Sequence, residues 1–211
     1  MTESPPLRAL LSASFCIIAA VLFSSCGSTP YFGKDTRNKM IVSVSDQKML
    51  LVRDGTPVKT YKVSTSKFGV GDRPGSNCTP LGRLQVAKKI GTNAPIGAVF
   101  KSRRPTGEIL SPNAPGRDPV VTRILWLKGT ESRNRNTFHR TIYIHGTPEE
   151  RRLGAPASYG CIRMASKDVA DLYDRVGHGA DVFVIRSSIQ STRRSGQATA
   201  FNRSSGPGSR G

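Results

Sequence analysis

The chain has 211 residues, enough for one domain with extensions. Its 32 Lys and Arg outnumber its 14 Asp and Glu, giving a formal charge of +18, so its preferred partners are anionic. Four cysteines and three histidines without ligand-type spacing exclude a disulfide framework and a zinc set, and no phosphate-cradling glycine motif is present, so neither a metal nor any other cofactor is expected.

The first 25 residues do not read as part of the fold. Arg8 precedes an apolar run from Ala9 to Phe23, followed by Ser24-Ser25-Cys26. A short apolar stretch between a basic residue and small residues reads as a secretory signal, and it is too short for a membrane span. Its end resembles a lipobox, with Cys26 as the lipid-bearing first mature residue, although Phe23 stands where Leu is usual and Glu3 interrupts the basic region. The expectation is an exported lipoprotein tethered to a membrane of the cell envelope, with residues 26–38 as a linker. Ordinary signal cleavage and a plain N-terminal anchor are the alternatives.

From Lys39 the pattern is mostly period two and β-branched, which predicts strands. The first runs from Lys39 to Ser45 and the second from Gln47 to Arg53. Asp54-Gly55 is a strong hairpin signal into a third, Thr56 to Thr65. Phe68 to Asn77 reads as a glycine-rich loop, and Gly82 to Ile90 as a strand. Gly91 to Pro119 holds so much Gly, Pro and Asn that it reads as a long irregular insertion. Strands follow at Val120 to Lys128 and Arg140 to Ile144. Ser166 is placed to cap a helix through Val176, with Asp168 in its first turn and Gly177 and Gly179 after its end. Asp181 to Arg186 is the last strand.

Many strands and one clear helix predict a mainly β domain over residues 39–187, a sandwich or an open barrel. Residues 188–211 are rich in Ser, Arg and Gly with no acidic residue, and such a segment buries too little apolar surface to order itself. An exported basic protein meets anionic envelope polymers, lipid headgroups and peptide carboxylates rather than nucleic acid, and its basic residues lack aromatic interleaving.

The chemistry is carried by His145 to Met164. His145-Gly146 closes a strand, and Ser158-Tyr159-Gly160-Cys161-Ile162-Arg163 follows. A thiol becomes a strong nucleophile when a base removes its proton, and an imidazole in hydrogen-bond reach is suited to that. Cys161 is therefore the candidate nucleophile and His145 the candidate base. Gly160 permits a sharp turn that aims the N–H groups of Tyr159, Gly160 and Cys161 at one spot, where they would stabilise an oxyanion. Arg163 carries a fork of donors suited to a substrate carboxylate, or to bracing the loop. Ser158 is a hydrogen-bonding candidate for the loop or the substrate. Cys16 lies within the signal, and Cys78 is the other cysteine of the domain. His139 and His178 read as surface residues.

This stretch resembles the active-site signature of the YkuD-type L,D-transpeptidases. Their pattern is His-Gly, a gap, then Ser-His-Gly-Cys, an apolar residue and Arg or Asn; Tyr159 departs from it. Thr79-Pro80-Leu81-Gly82 resembles the family's Thr-Pro-x-Gly turn, and Ile124-Leu125-Trp126-Leu127 its strand before the histidine. The resemblance implies the β-sandwich of that catalytic domain with one or two short helices, and a Gly146 carbonyl that accepts the Nδ1 proton of His145. It also implies peptidoglycan stem peptides as substrates, crosslinked through a Cys161 thioester. L,D-carboxypeptidation by the same nucleophile, a non-catalytic wall-binding lipoprotein and an unrelated thiol hydrolase are the competing readings.

Overall fold

The computed structural model describes residues 33–191, which contain ten strands joined in one sheet. β1 (Asn38–Ser43), β2 (Lys48–Arg53) and β3 (Thr56–Ser64) form an antiparallel meander. Asp54 and Gly55 join β2 to β3 with φ of 50° and 81°. Such a left-handed pair gives the two-residue turn whose twist matches the flanking strands. β4 (Gly82–Ile90) is followed by a hairpin of β5 (Ala98–Lys101) and β6 (Arg104–Ile109), then by β7 (Val120–Gly129). β8 (Tyr143–Gly146), β9 (Ile162–Met164), α1 (Ser166–Arg175) and β10 (Asp181–Ile185) complete the order.

The sheet closes on itself. The strand order β4-β10-β1-β2-β3-β9-β8-β7 returns to β4 through a β4–β7 pairing. Each of these eight strands therefore has neighbours on both sides, which leaves the ring without a free edge. The β5–β6 hairpin branches from the start of β7, where Val99 pairs with Val121.

Alternation along the strands sends Met40, Val42, Leu84, Val86, Leu125, Leu127, Val182 and Val184 into one core. α1 adds Val169, Leu172 and Tyr173, spaced as one helical stripe, and lies against β7 and β8. Burying side chains of this size contributes about 1.5–3 kcal/mol each. At the end of α1 the Lys89 ammonium donates to the carbonyls of Tyr173 (2.6 Å) and Val176 (2.7 Å), meeting the negative end of the helix.

The mainly β expectation holds, with corrections. The stretch expected to be irregular contains β5 and β6. β6 includes Pro105 and Gly107, tolerated because it is an edge strand. β8 begins at Tyr143 rather than Arg140, because Thr141 turns the chain with φ of 56°. Ser166 is the first helical residue and not the cap. Ala165 holds the cap position, and the Ser166 N–H donates to Glu150 Oε1 at 2.8 Å. Residues 189–191 form a helical turn, with the Ile189 N–H on Asp46 Oδ2 at 2.8 Å. The signal segment, Cys16, Cys26 and residues 192–211 lie outside the described residues. No helix among the described residues is long and apolar enough to cross a membrane.

Candidate active site

β8 and β9 run parallel, with Ile144 opposite Ile162 and His145 opposite Arg163. Ile144 and Ile162 are fully buried in the main core. Alternation then sends Tyr143, His145, Arg163 and, one step before β9, Cys161 to the opposite face. There Cys161 packs against a second apolar cluster of Ala98, Phe100, Ile124 and Tyr143. The register places Cys161 across from Tyr143, and His145 two residues further along the same strand. Parallel-strand spacing puts their Cα atoms about 8 Å apart, a gap that two side chains on one face can bridge.

The thiol is partly buried and free. The Tyr143 N–H donates to Sγ at 3.4 Å, and the S–H faces the Thr141 carbonyl at 3.6 Å. Burial pushes its pKa up to about 11, opposed by the Tyr143 N–H and by the charges of Arg140 and Arg163. The resting sulfur is therefore a thiol at neutral pH.

His145 is 5% exposed, and its Nδ1 lies 2.8 Å from the Gly146 carbonyl. A carbonyl only accepts, so Nδ1 carries the proton and Nε2 is left as the acceptor. Burial pushes the imidazole below its ordinary pKa, aided by Arg163 and opposed by the Gly146 carbonyl and Asp118. A Cβ at Gly146 would lie 2.7 Å from the Val121 carbonyl, which explains the glycine beside the base. Opposite it β7 bulges: Val121 pairs with Gly146 and Ile124 with His145, leaving Thr122 and Arg123 looped between. Thr122 takes φ of 71°, rare for a β-branched residue. Its hydroxyl holds the bulge by accepting the Gly97 N–H and donating to Ser166 Oγ, both at 2.9 Å.

The cysteine loop is tied from within. Ser158 Oγ donates to the Cys161 carbonyl at 2.6 Å and accepts the Gly160 N–H at 3.2 Å. Gly160 has φ of 117°, and a Cβ there would lie 3.1 Å from Ile142 Cδ1 and 3.2 Å from the Cys78 carbonyl. The buried Thr79 hydroxyl donates to the Gly160 carbonyl at 3.0 Å, which brings the Thr79-Pro80-Leu81-Gly82 turn under the loop. With Gly160 N–H engaged, the N–H groups of Tyr159 and Cys161 bond to no other described residue. Tyr159 is 63% exposed.

Arg163 is 2% exposed, and its guanidinium meets Asp118 and Glu149 (3.1 Å to the latter). The Thr147 hydroxyl also donates to Asp118. A second buried pair lies nearby. Arg140 meets Asp72 at 3.1 Å and donates to the carbonyls of Gly71 (3.0 Å) and Cys78 (2.7 Å), next to the cysteine loop. Asp72, Asp118, Arg140 and Glu149 carried no local signal in the sequence, because each finds its partner across the fold. Cys78 donates to the Phe68 carbonyl at 3.1 Å, His139 is exposed against the edge of Phe138, and His178 sits near Ala87. Among the described residues no group of three or more His, Cys, Asp or Glu is arranged to hold a metal.

The L,D-transpeptidase catalytic domain of the YkuD family matches residues 37–185, and the chain belongs to that family. Similar solved structures include L,D-transpeptidase 3 from Mycobacterium tuberculosis, at 18% identity over 71% of this chain and 61% of that one, with a TM-score of 0.47. The L,D-transpeptidase from Mycobacterium smegmatis is 18% identical over 71% of this chain and 58% of that one, with a TM-score of 0.45. The enzyme from Xylanimonas cellulosilytica is 19% identical over 71% and 60%, with a TM-score of 0.45. This chain thus covers between 58% and 61% of the length of those chains. No curated protein matches it.

Proposed function

We propose that the enzyme catalyses peptidoglycan L,D-transpeptidation through a thioester on Cys161. The observation that carries this reading is the β8–β9 register, in which Cys161 shares a face with an imidazole whose Nδ1 is held by Gly146. Rotation about its Cα–Cβ bond takes the thiol from the Thr141 carbonyl toward Nε2, which accepts the proton. The sulfur attacks the carbonyl carbon after the third residue of a tetrapeptide stem. The Tyr159 and Cys161 N–H groups are the donors for the oxyanion, each worth about 10²–10³ in rate. The C–N bond breaks, His145 gives its proton to the departing D-alanine amine, and a thioester remains. An amine from a second stem or from an envelope protein attacks the thioester. Its proton passes to His145 and on to the departing thiolate. Water as acceptor gives L,D-carboxypeptidation.

Purified muropeptides decide among these. A crosslinked dimer is expected, with loss of activity in Cys161→Ala. A shortened stem alone means hydrolysis, and undiminished activity in Cys161→Ala sinks the thioester. The same reading places the protein in the cell envelope, lipid-anchored through Cys26. Metabolic lipid labelling that survives Cys26→Ala would refute the anchor.

A further inference from the structure

Under the proposed reaction the scissile bond lies one residue from the C-terminal carboxylate of the donor stem. That carboxylate must come within a few ångströms of Cys161 Sγ, where a charged donor beside the cysteine loop would hold it more strongly than a neutral one. Arg163, the sequence candidate, is closed off by Asp118 and Glu149. Arg140 is closed off by Asp72, with side-chain exposures of 7% and 4%. Arg152 is bridged to Glu149 at 3.0 Å. Lys67 and Arg103 are both exposed and make no ion pair among the described residues; Arg103 sits over the Trp126 ring at 4.8 Å and on the Tyr143 hydroxyl at 3.3 Å, whereas Lys67 is joined through its backbone to the loop that carries Cys161.

Lys67 is held in place at the cysteine loop. Its N–H donates to the Ser158 carbonyl at 3.1 Å, and Ser66 and Ser158 form a parallel bridge, so its backbone is joined to the loop that carries the nucleophile. Its Nζ donates to Tyr159 Oη at 3.0 Å, and lies 4.4 Å from the Tyr159 ring centre and 5.2 Å from that of Phe68. Those two rings sit 5.3 Å apart and remain 63% and 49% exposed. The two rings leave large apolar faces in water around an ammonium that makes no ion pair among the described residues, and Tyr159 stands two residues before the nucleophile.

We infer that Lys67, with Tyr159 and Phe68, forms the subsite that receives the C-terminal carboxylate of the donor stem peptide. With one ammonium hydrogen on Tyr159 Oη, the remaining two and the Tyr159 O–H can donate to an incoming carboxylate, and the rings give its small apolar side chain a wall. The two charges attract, whereas a terminal carboxamide offers no charge to read. The departure at position 159, where the family usually has histidine, then sets the recognition of the leaving residue. This inference rests on the proposed function, and its test separates the two.

The test is binding of a tetrapeptide stem and of its C-terminal carboxamide to the full-length Cys161→Ala protein, measured by calorimetry. The carboxylate form is expected to bind about tenfold more tightly, the scale of one hydrogen bond to a charged group. That preference should vanish in Lys67→Met and return in Lys67→Arg, with Tyr159→Phe intermediate. A preference that persists in Lys67→Met, equal affinity for the two peptides, or no binding of either overturns the inference. Turnover of the tetrapeptide by the unaltered enzyme reports separately on the proposed function.

Discussion

Arg163 stands opposite His145 in the β8–β9 pair, and Asp118 joins them, since its carboxylate meets the guanidinium and supports charge on the imidazole. Asp118→Asn should therefore do two things. Loss of one charged hydrogen bond to a buried guanidinium costs about 1.5–3 kcal/mol, read by urea unfolding. Removal of a negative charge also lowers the His145 pKa, so the acid limb of the kcat profile moves to lower pH. An unshifted limb would show that Asp118 acts on stability alone.

Burial holds the Cys161 thiol protonated, with a pKa of about 11, and the His145 imidazole neutral. Alkylation by iodoacetamide should then climb about tenfold per pH unit from pH 7 to 9 without levelling off, because only the thiolate reacts. A plateau near pH 6–7 would mean a resting thiolate–imidazolium pair and contradict this picture.

Gly160→Ala should remain folded and lose turnover. Its φ of 117° strains an L side chain, and its Cβ would press on Ile142 and on the Cys78 carbonyl. The strain is worth about 1–3 kcal/mol. Moving the loop's N–H groups off target should reduce kcat by about 10² or more. A variant with wild-type kcat would remove the loop backbone from the mechanism.

Acid stability tests a cluster remote from the thiol. Burial pushes the Asp171 carboxyl upward, but hydrogen bonds from Tyr61 (2.7 Å), Arg175 (2.8 Å) and Lys59 (3.0 Å) hold it down at about 2. A carboxyl whose folded pKa lies below its unfolded value stabilises above the unfolded value, and loses that contribution as pH falls toward the folded one. The wild type should thus lose more stability than Asp171→Asn between about pH 4 and pH 2. Parallel losses would show that the cluster is too well solvated to matter.

Most of the ring was legible because β1, β3, β7 and β10 are rich in β-branched residues, β2 and β4 hold apolar residues bounded by polar ones, and the Asp54-Gly55 turn announces itself. The β5–β6 hairpin was not legible. Its turn at Ser102-Arg103 has both φ positive without a glycine, and β6 is exposed at every residue but Glu108. The hairpin is fixed instead by Arg103, which sits 4.8 Å over the Trp126 ring and reaches the Tyr143 hydroxyl at 3.3 Å. β9 is too short to show a period, and its identity comes from the strands beside it. Ser166 resembled a cap because the carboxylate that serves the helix start, Glu150, arrives from outside the local window. Cys161 and His145 were legible as chemistry, but what surrounds them (Asp118, Glu149, the Thr122 bulge, Lys67) depends on contacts that only the folded chain creates.

The closed strand order makes the ring depend on its last strand. β10, near the end of the described chain, fills the gap between β1 and β4, pairing Val182 with Met40 on one side and Leu84 on the other. Pairings so distant in sequence raise the contact order, which slows folding. A polypeptide truncated after α1 would keep every residue of the proposed chemistry, yet expose two unpaired strand borders prone to intermolecular association. Closure of the ring that carries the site thus depends on a strand that takes no part in the proposed reaction.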